Sequence, residues 1–366
     1  MAGTAIADEL RHRAREHFEL TVLDDSLVRR IERKRHVVVT IDGRELRYHK
    51  LVLATGTSAL VLPVPGRQRD GVFVCHGLDD AERLTAALDR QRRAAVIGGD
   101  PLGIEVARGL RQRGLQTTVV QPADRLMEWQ LDRTGATYLL GAMRRLGIDV
   151  WLGAQTREFL GDARVTGLRF ADGGELSTDV VIMCAGRLPR TELARAAKLA
   201  CRRGVVVDDQ LRTSDADVHA LGECAEHRGV CYGPGAPLEE QARVLASHLL
   251  GAEAHYTGSL VATRLHVTGI DVFSIGELDD APGADVMRIE DSARGIYKKL
   301  VIQRGRVAGA VLVGDVAPAA ALEQAVRAQA PGNDATLALL FGASPGGVAA
   351  SAAPSRPSPT WARWSA

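Results

Sequence analysis

Cysteine is scarce and scattered: five residues, at 75, 184, 201, 224 and 231, with no CxxC or CxxxxC spacing among them. The lack of it speaks against both a redox-active dithiol and a zinc knuckle, so no metal site is expected. Cys224 and Cys231, seven apart, are near enough in sequence to meet in space, and reduced, packed thiols are the expectation for a reducing compartment. Charge of one sign is also missing. Forty-six Lys and Arg stand against 45 Asp and Glu, a net charge of +1. Even the basic run RHRAR at 11–15 has acidic neighbours, so it reads as a solvated helix face and not a nucleic-acid footprint. No apolar run reaches the ~18 residues that a membrane span needs, and the N-terminus carries no signal-peptide core. A cytoplasmic protein without nucleic-acid or membrane partners is expected.

What is present is most concentrated at residues 95–107, AVIGGDPLGIEVA. An apolar strand ending at Ile97, a glycine turn and an amphipathic helix from about Pro101 form the strand–turn–helix of a dinucleotide-binding βαβ unit. Gly98 falls where the tight turn needs a residue without Cβ, and Gly103 where helix and strand pack closely. The middle position, at which backbone approaches phosphate, holds Asp100, adding bulk and a negative charge. Pro101 suits the first helical turn. Leu102, Val106 and Leu110 recur at the helical period, with Gly103 and Ala107 small enough to press onto a sheet. Taken alone, the match is equally an ordinary α/β turn that binds nothing.

The 366 residues, 46% of them apolar, suit two or three domains at ~150 residues each. A helix over 6–17 and a strand at 19–23 precede a meander (26–33, 36–42, 45–50) with an Asp42–Gly43 hairpin turn. The buried strand LVLATG (51–56), a helix over 78–91, strand 94–98, helix 101–113, strand 115–120, helix 131–146 and strand 148–153 give a parallel array. Residues 165–186 read as a second meander. A strand at 204–208, a helix over 237–251 and a β-rich unit from about 255, with strands near 264–273, 286–290, 296–303 and 306–314, follow. The Pro/Ser/Ala-rich tail cannot bury a core.

Three further segments resemble the flavoprotein pyridine-nucleotide oxidoreductases. LVLATG is similar to the strand and turn in which Ala54, Thr55 and Gly56 would pass close to the flavin nucleotide. TSDADVHALGECAEHRGV (213–230) resembles the second flavin motif, its Gly-Asp appearing as Gly222-Glu223, whose carboxylate would accept from a ribityl hydroxyl; the other reading is a helix N-terminus favoured by the dipole. CAGRLP (184–189), with Ala185, Gly186 and Arg187, is similar to the turn near the nicotinamide end of the second dinucleotide. With RLMEWQLD (125–132), TGIDVFSIGEL (268–278) and IYKKLVIQRGRVAGAVLVGD (296–315), the resemblance narrows to the FAD/NAD(P)H module of nitrite reductase large subunits, over roughly 20–342.

The resemblance implies an α/β protein with two Rossmann-like dinucleotide-binding domains, the first incomplete, and a small β-rich C-terminal domain. The boundaries it implies are 1–88 with 200–252 for FAD, 89–199 for NAD(P)H, 255–342 for the C-terminal α+β domain, and 343–366 as a disordered tail. FAD and NAD(P)H are the implied cofactors, with Gly98, Gly99, Leu102 and Gly103 around the second dinucleotide. Glu105 would lie near the nicotinamide carboxamide; as a first-turn acid it equally stabilises its own helix. Gln121, after strand 115–120, is neither the acid that favours NAD nor the base that favours NADP; Arg125 is near, NADH is weakly preferred, and Gln121 serves equally well as a turn cap before Pro122.

The function so implied is nitrate-assimilation electron transfer from NAD(P)H through flavin to an iron–sulfur or sirohaem protein, docking near 264–315. Hydride transfer needs stacking and orientation, not an acid–base pair, so no catalytic residue is assigned; His227 reads as a solvent-facing or hydrogen-bonded loop residue. Three departures stand out. No strand–GxGxxG–helix precedes LVLATG, where Gly3 and Gly43 are the only glycines. Asp100 replaces a glycine. The cysteines cannot supply iron–sulfur or sirohaem ligands. The alternative is therefore a non-catalytic remnant of the family serving as an interaction scaffold.

Overall fold

A computed structural model describes residues 20–342 except 89, 90, 234 and 281. The expected helix at 6–17 and the tail lie outside the described residues. The chain divides into two compact units: residues up to Ser58 with Arg187–Ser259, and Ala59–Gly186 with Leu260 onward.

In the second unit, a five-stranded parallel sheet runs in the order Val72–Val74, Val180–Met183, Arg93–Ile97, Gln116–Gln121, Ile148–Leu152. Its central strand RAAVI is apolar nearly throughout because both faces are covered. Ala94 and Val96 share a core with Ile104, Ala107 and Leu110 of helix Pro101–Gln112. Ala95 and Ile97 pack with Phe159, Val165 and Phe170 of an antiparallel flap, Thr156–Leu160, Gly167–Phe170 and Glu175–Ser177. Residues 165–186 are thus not one meander. Their last strand, Val180–Met183, leaves the flap and inserts between Val72–Val74 and Arg93–Ile97. Every residue of VVIM is buried, which an edge of a small meander could not provide.

Helix Arg133–Arg145 begins where Asp132 Oδ1 accepts from the Gly135 amide at 3.0 Å, an N-cap of the usual kind. The C-terminal sheet is antiparallel, ordered Ala262–Val267, Ile270–Gly276, Arg306–Val313, Ile296–Gln303, Ala284–Asp291. What reads as one strand at 264–273 is a hairpin turning at Gly269, where φ is +90°. Helix Ala319–Arg327, absent from the sequence expectation, covers it with Leu322 and Val326. On its other side Tyr297, Val311 and Val313 join the core of helix Arg133–Arg145. A buried polar knot crosses that seam: Tyr297 Oη donates to Asp132 Oδ2 at 2.6 Å, and Lys299 Nζ donates to the same oxygen at 3.1 Å.

The first unit is built from smaller sheets. Val28–Glu32, Val37–Thr40 and Glu45–Arg47 form the expected antiparallel meander, with Gly43 at φ +85° in its hairpin turn. Residues 20–23 form no strand; the first ladder begins at Val28. Leu51–Leu53 pairs parallel with Val218–Ala220, and Val205–Val207 with Ala225–His227. Leu53, Val205, Val218, Ala220 and Leu245 of helix Ala236–Leu249 make its core. No helix among the described residues is long and apolar enough to cross a membrane.

Candidate functional site

In the second unit the expected turn is fully formed. Gly98 leaves the central strand at φ +121°, a conformation that only glycine adopts easily, and a Cβ there would meet the Cys184 carbonyl oxygen at 2.2 Å. Gly103, one turn into the helix, comes so close that its Cβ would sit 2.0 Å from the Gly98 oxygen. Both glycines are therefore demanded by packing. The turn lies at the carboxyl ends of Arg93–Ile97 and Val180–Met183, where the strand order reverses. That is the crevice in which open α/β sheets bind their ligands.

Asp100 is the N-cap of the helix, with Pro101 at its first position, yet its side chain accepts from no helix amide. Burial, with a smaller contribution from the Glu128 charge, raises its carboxyl above the usual range. Burial does the same to Glu105, half-buried one turn further on. Gln121 is turned inward, 5% exposed, and its Oε1 accepts from the Gly99 amide at 2.8 Å. It caps the turn. Arg125 is held by Asp124 Oδ1 at 3.1 Å and the Glu128 carbonyl at 3.0 Å. Leu102 packs against the unit's core, while Ala185 is half-buried and Gly186 exposed at φ +114° with open space around it.

The first unit gathers the other candidates. Gly56 turns at φ +65° with nothing within 4 Å of where a Cβ would be, and Ala54 beside it is exposed. Thr55 Oγ1 donates to the Arg190 carbonyl at 2.8 Å, and the Arg190 amide donates to the Gly56 carbonyl at 2.9 Å. Gly222, at φ +79°, starts a single 3-10 turn, and its amide donates to Oε1 of the buried Gln241 at 2.7 Å. Glu223 Oε1 accepts from Arg187 Nη1 at 2.6 Å, and Thr57 Oγ1 donates to its Oε2 at 3.4 Å. Arg187 and Glu223, assigned by resemblance to different dinucleotides, are thus partners. Neither Gln241 nor Thr57 stood out in the sequence; Gln241 reads there as one polar residue on a helix, and only its burial gives it away.

Two corrections follow. His227 is not a loop residue: it closes the strand Ala225–His227, is 1% exposed, and its Nε2 lies 2.9 Å from Asp209 Oδ1. And although all five cysteines are free thiols, Cys75 and Cys184 are neighbours across adjacent strands, a pairing that no local spacing announces.

The dinucleotides that such turns hold can be tested against these residues. The backbone at Gly56 and at Gly186 is open, as close approach of a flat ring or ribityl chain requires, whereas Gly222 is buried against Leu238. The Gly98–Gly103 turn has the shape for a pyrophosphate but presents a carboxyl at Asp100. Among the described residues of the first unit, no strand, glycine turn and helix stand ready for a second pyrophosphate.

Comparison with known proteins gives a consistent picture. Residues 3–244 match the family described as pyridine nucleotide-disulphide oxidoreductase, and residues 262–330 the rubredoxin NAD+ reductase C-terminal domain. The chain is 39% identical over 301 residues to nitrite reductase [NAD(P)H] of Bacillus subtilis, covering 82% of this chain and 37% of that protein. It is 34% identical over 319 residues to the assimilatory nitrate reductase electron transfer subunit of the same organism, covering 86% and 41%. It therefore spans about two fifths of the length of these relatives. The reductase chain in a covalent putidaredoxin reductase–putidaredoxin complex superposes with a TM-score of 0.76 at 26% identity, covering 87% of this chain and 80% of that one.

Proposed function

Because the chain belongs to the pyridine nucleotide-disulphide oxidoreductase family, whose members are NAD(P)H-dependent flavoprotein oxidoreductases, we propose that it moves electrons from NADH through FAD to an iron–sulfur or haem acceptor of the nitrite-reductase kind. The observation that carries this reading is the Gly98–Gly103 turn at the strand-order reversal, where tight packing sets the start of helix Pro101–Gln112 at the crevice in which a pyrophosphate would lie. FAD, when bound, accepts a hydride from nicotinamide and releases electrons singly. The chain's own residues position and shield. Gly98 and Gly103 let the turn close beneath the phosphates, Gly99 is steadied by Gln121, and Glu105 orients the carboxamide. Glu223, with Arg187 and Thr57 holding it, receives a ribityl hydroxyl, and Ala54, Thr55 and Gly56 line the flavin. Ala185 and Gly186 pass the nicotinamide end, and Leu102 backs the turn. NADH is favoured because Arg125, the basic side chain near Gln121, is already held by Asp124 and Glu128.

The expected boundaries 1–88 with 200–252 and 89–199 shift: flavin is proposed on 1–58 with 187–252 and nicotinamide on 59–186, because Val72–Val74 pairs in the sheet of the Gly98 turn and Arg187 pairs with Glu223. Residues 255–342 are proposed as the C-terminal unit, whose 264–315 surface would face the acceptor. The test is anaerobic titration of the FAD-reconstituted protein with NADH. Bleaching of the flavin band, with ferricyanide reduction, is expected. Asp100 favours a second reading, an interaction scaffold that has lost its nucleotide. Protein that retains no flavin and reduces no ferricyanide would establish that reading and overturn the first.

A further inference from the structure

Cys75 and Cys184 end adjacent parallel strands in matching register: Val74 is opposite Met183, and the Cys75 amide donates to the Met183 carbonyl at 3.1 Å. Both side chains point to one face, into the core shared with Ile104 and Ala107, and are 4% and 5% exposed. The register sets the two thiols side by side on adjacent strands. Cys184 is also the residue against which the glycine turn is built. Its carbonyl blocks any side chain at Gly98, its Cβ would lie 3.5 Å from one at Gly103, and its amide donates to the Ile97 carbonyl at 2.8 Å.

We propose that Cys75 and Cys184 form an oxidant-responsive dithiol whose closure to a disulfide by hydrogen peroxide loosens the Gly98–Gly103 turn. The sulfur of Cys75 attacks a peroxide oxygen, giving a sulfenic acid and one water. The sulfur of Cys184 then displaces the sulfenic oxygen as a second water, and the S–S bond forms. Two thiols lose two electrons and two protons, and one peroxide becomes two waters. The order of attack follows from the pair itself. Interaction with Cys184 lowers the Cys75 thiol, whereas the same interaction and burial push Cys184 well up. Peroxide is small enough to reach the ends of the strands, which a bulky disulfide is not. Closing the contact to a covalent bond of ~2 Å must shift Cys184, and the turn cannot keep its packing when its neighbour moves.

The test needs no bound nucleotide. Full-length protein is treated with graded peroxide, quenched with an alkylating reagent in denaturant, and mapped by mass spectrometry, while amide exchange is followed over Gly98–Gly103. A cross-linked Cys75–Cys184 peptide, faster exchange in the turn, reversal by dithiothreitol, and loss of both effects in C75S and in C184S are expected. Where NADH binding is measurable beforehand, its Kd should rise by ~10-fold, the equivalent of one lost hydrogen bond. Both thiols remaining alkylated at doses that oxidise the half-exposed Cys201 and Cys231 would overturn the proposal. So would a disulfide that leaves exchange in the turn unchanged. Failure to bind NADH in the reduced protein would count against the proposed function instead, leaving the dithiol to be judged on the peptide map and the exchange.

Discussion

The two units hold their candidate residues by different means. In the second, the turn is fixed by backbone: Gly98 against the Cys184 carbonyl, Gly103 against Gly98, and Gly99 on Gln121, all buried. In the first, the candidates are held by side chains at the margin of solvent, chiefly Arg187 and Glu223, whose side chains are 36% and 18% exposed. A site made of packed backbone tolerates drift at its rim, which is how an Asp100 can be carried without disturbing the fold. A site made of paired side chains keeps its shape only while both partners remain.

The largest expected effect lies where the second unit is most buried. Asp132→Ala removes the helix N-cap and the buried acceptor of Tyr297 Oη, while Lys299 keeps Asp280 at 2.9 Å, and should cost about 2–4 kcal/mol, seen as a lowered Tm. Lys299→Met combined with Asp132→Asn should recover much of that loss. Next is Gly103→Val, whose side chain would overlap the Gly98 carbonyl; about 1–3 kcal/mol of stability and all dinucleotide binding by the turn should disappear. Gly56→Ala in the first unit, facing open space at φ +65°, should cost only the left-handed backbone penalty of about 1–2 kcal/mol.

Asp100→Asn should strengthen NADH binding about 10-fold near neutral pH, the effect of ~1.4 kcal/mol of removed repulsion. The sign follows from the raised carboxyl: a bound pyrophosphate favours the protonated form, so wild-type affinity should climb as pH falls toward that pKa and weaken above it, while the variant stays flat. Titration calorimetry across pH distinguishes them.

A pH effect of another origin belongs to the first unit. His219 is fully buried, and burial with the nearby His248 lowers its imidazole below 6.5. The unfolded chain takes up a proton at pH values where the folded one refuses it. Stability should therefore fall as pH drops below 6.5 until the lowered folded pKa is passed. Amide exchange should show this drop in the first unit, and His219→Gln should abolish it. The smallest effect is Arg187→Ala, about 0.2–1 kcal/mol in stability for so exposed a pair; its consequence should appear instead as weaker flavin retention.

Local pattern made much of this legible. The turn at Gly98, Pro101 at the helix start and the Asp42–Gly43 hairpin are short-range signals, and each stands where expected. Long-range pairing was not legible. Nothing within 165–186 distinguishes a third meander strand from one that crosses into the parallel sheet, because both are apolar runs of the same length. The same insertion sets Cys184 beside Cys75, so the thiol pair was hidden with it. Gln121 reads equally as ribose contact and turn cap in the sequence, because only the fold brings its side chain to the Gly99 amide.

That bond has a consequence for anyone wishing to re-engineer coenzyme preference. An aspartate or arginine placed at 121 to read an adenosine ribose would withdraw the acceptor from a buried amide at the Gly98–Gly103 bend. On the proposed reading, selectivity and bend geometry would run through one side chain, so a single exchange at 121 would first require another partner for Gly99.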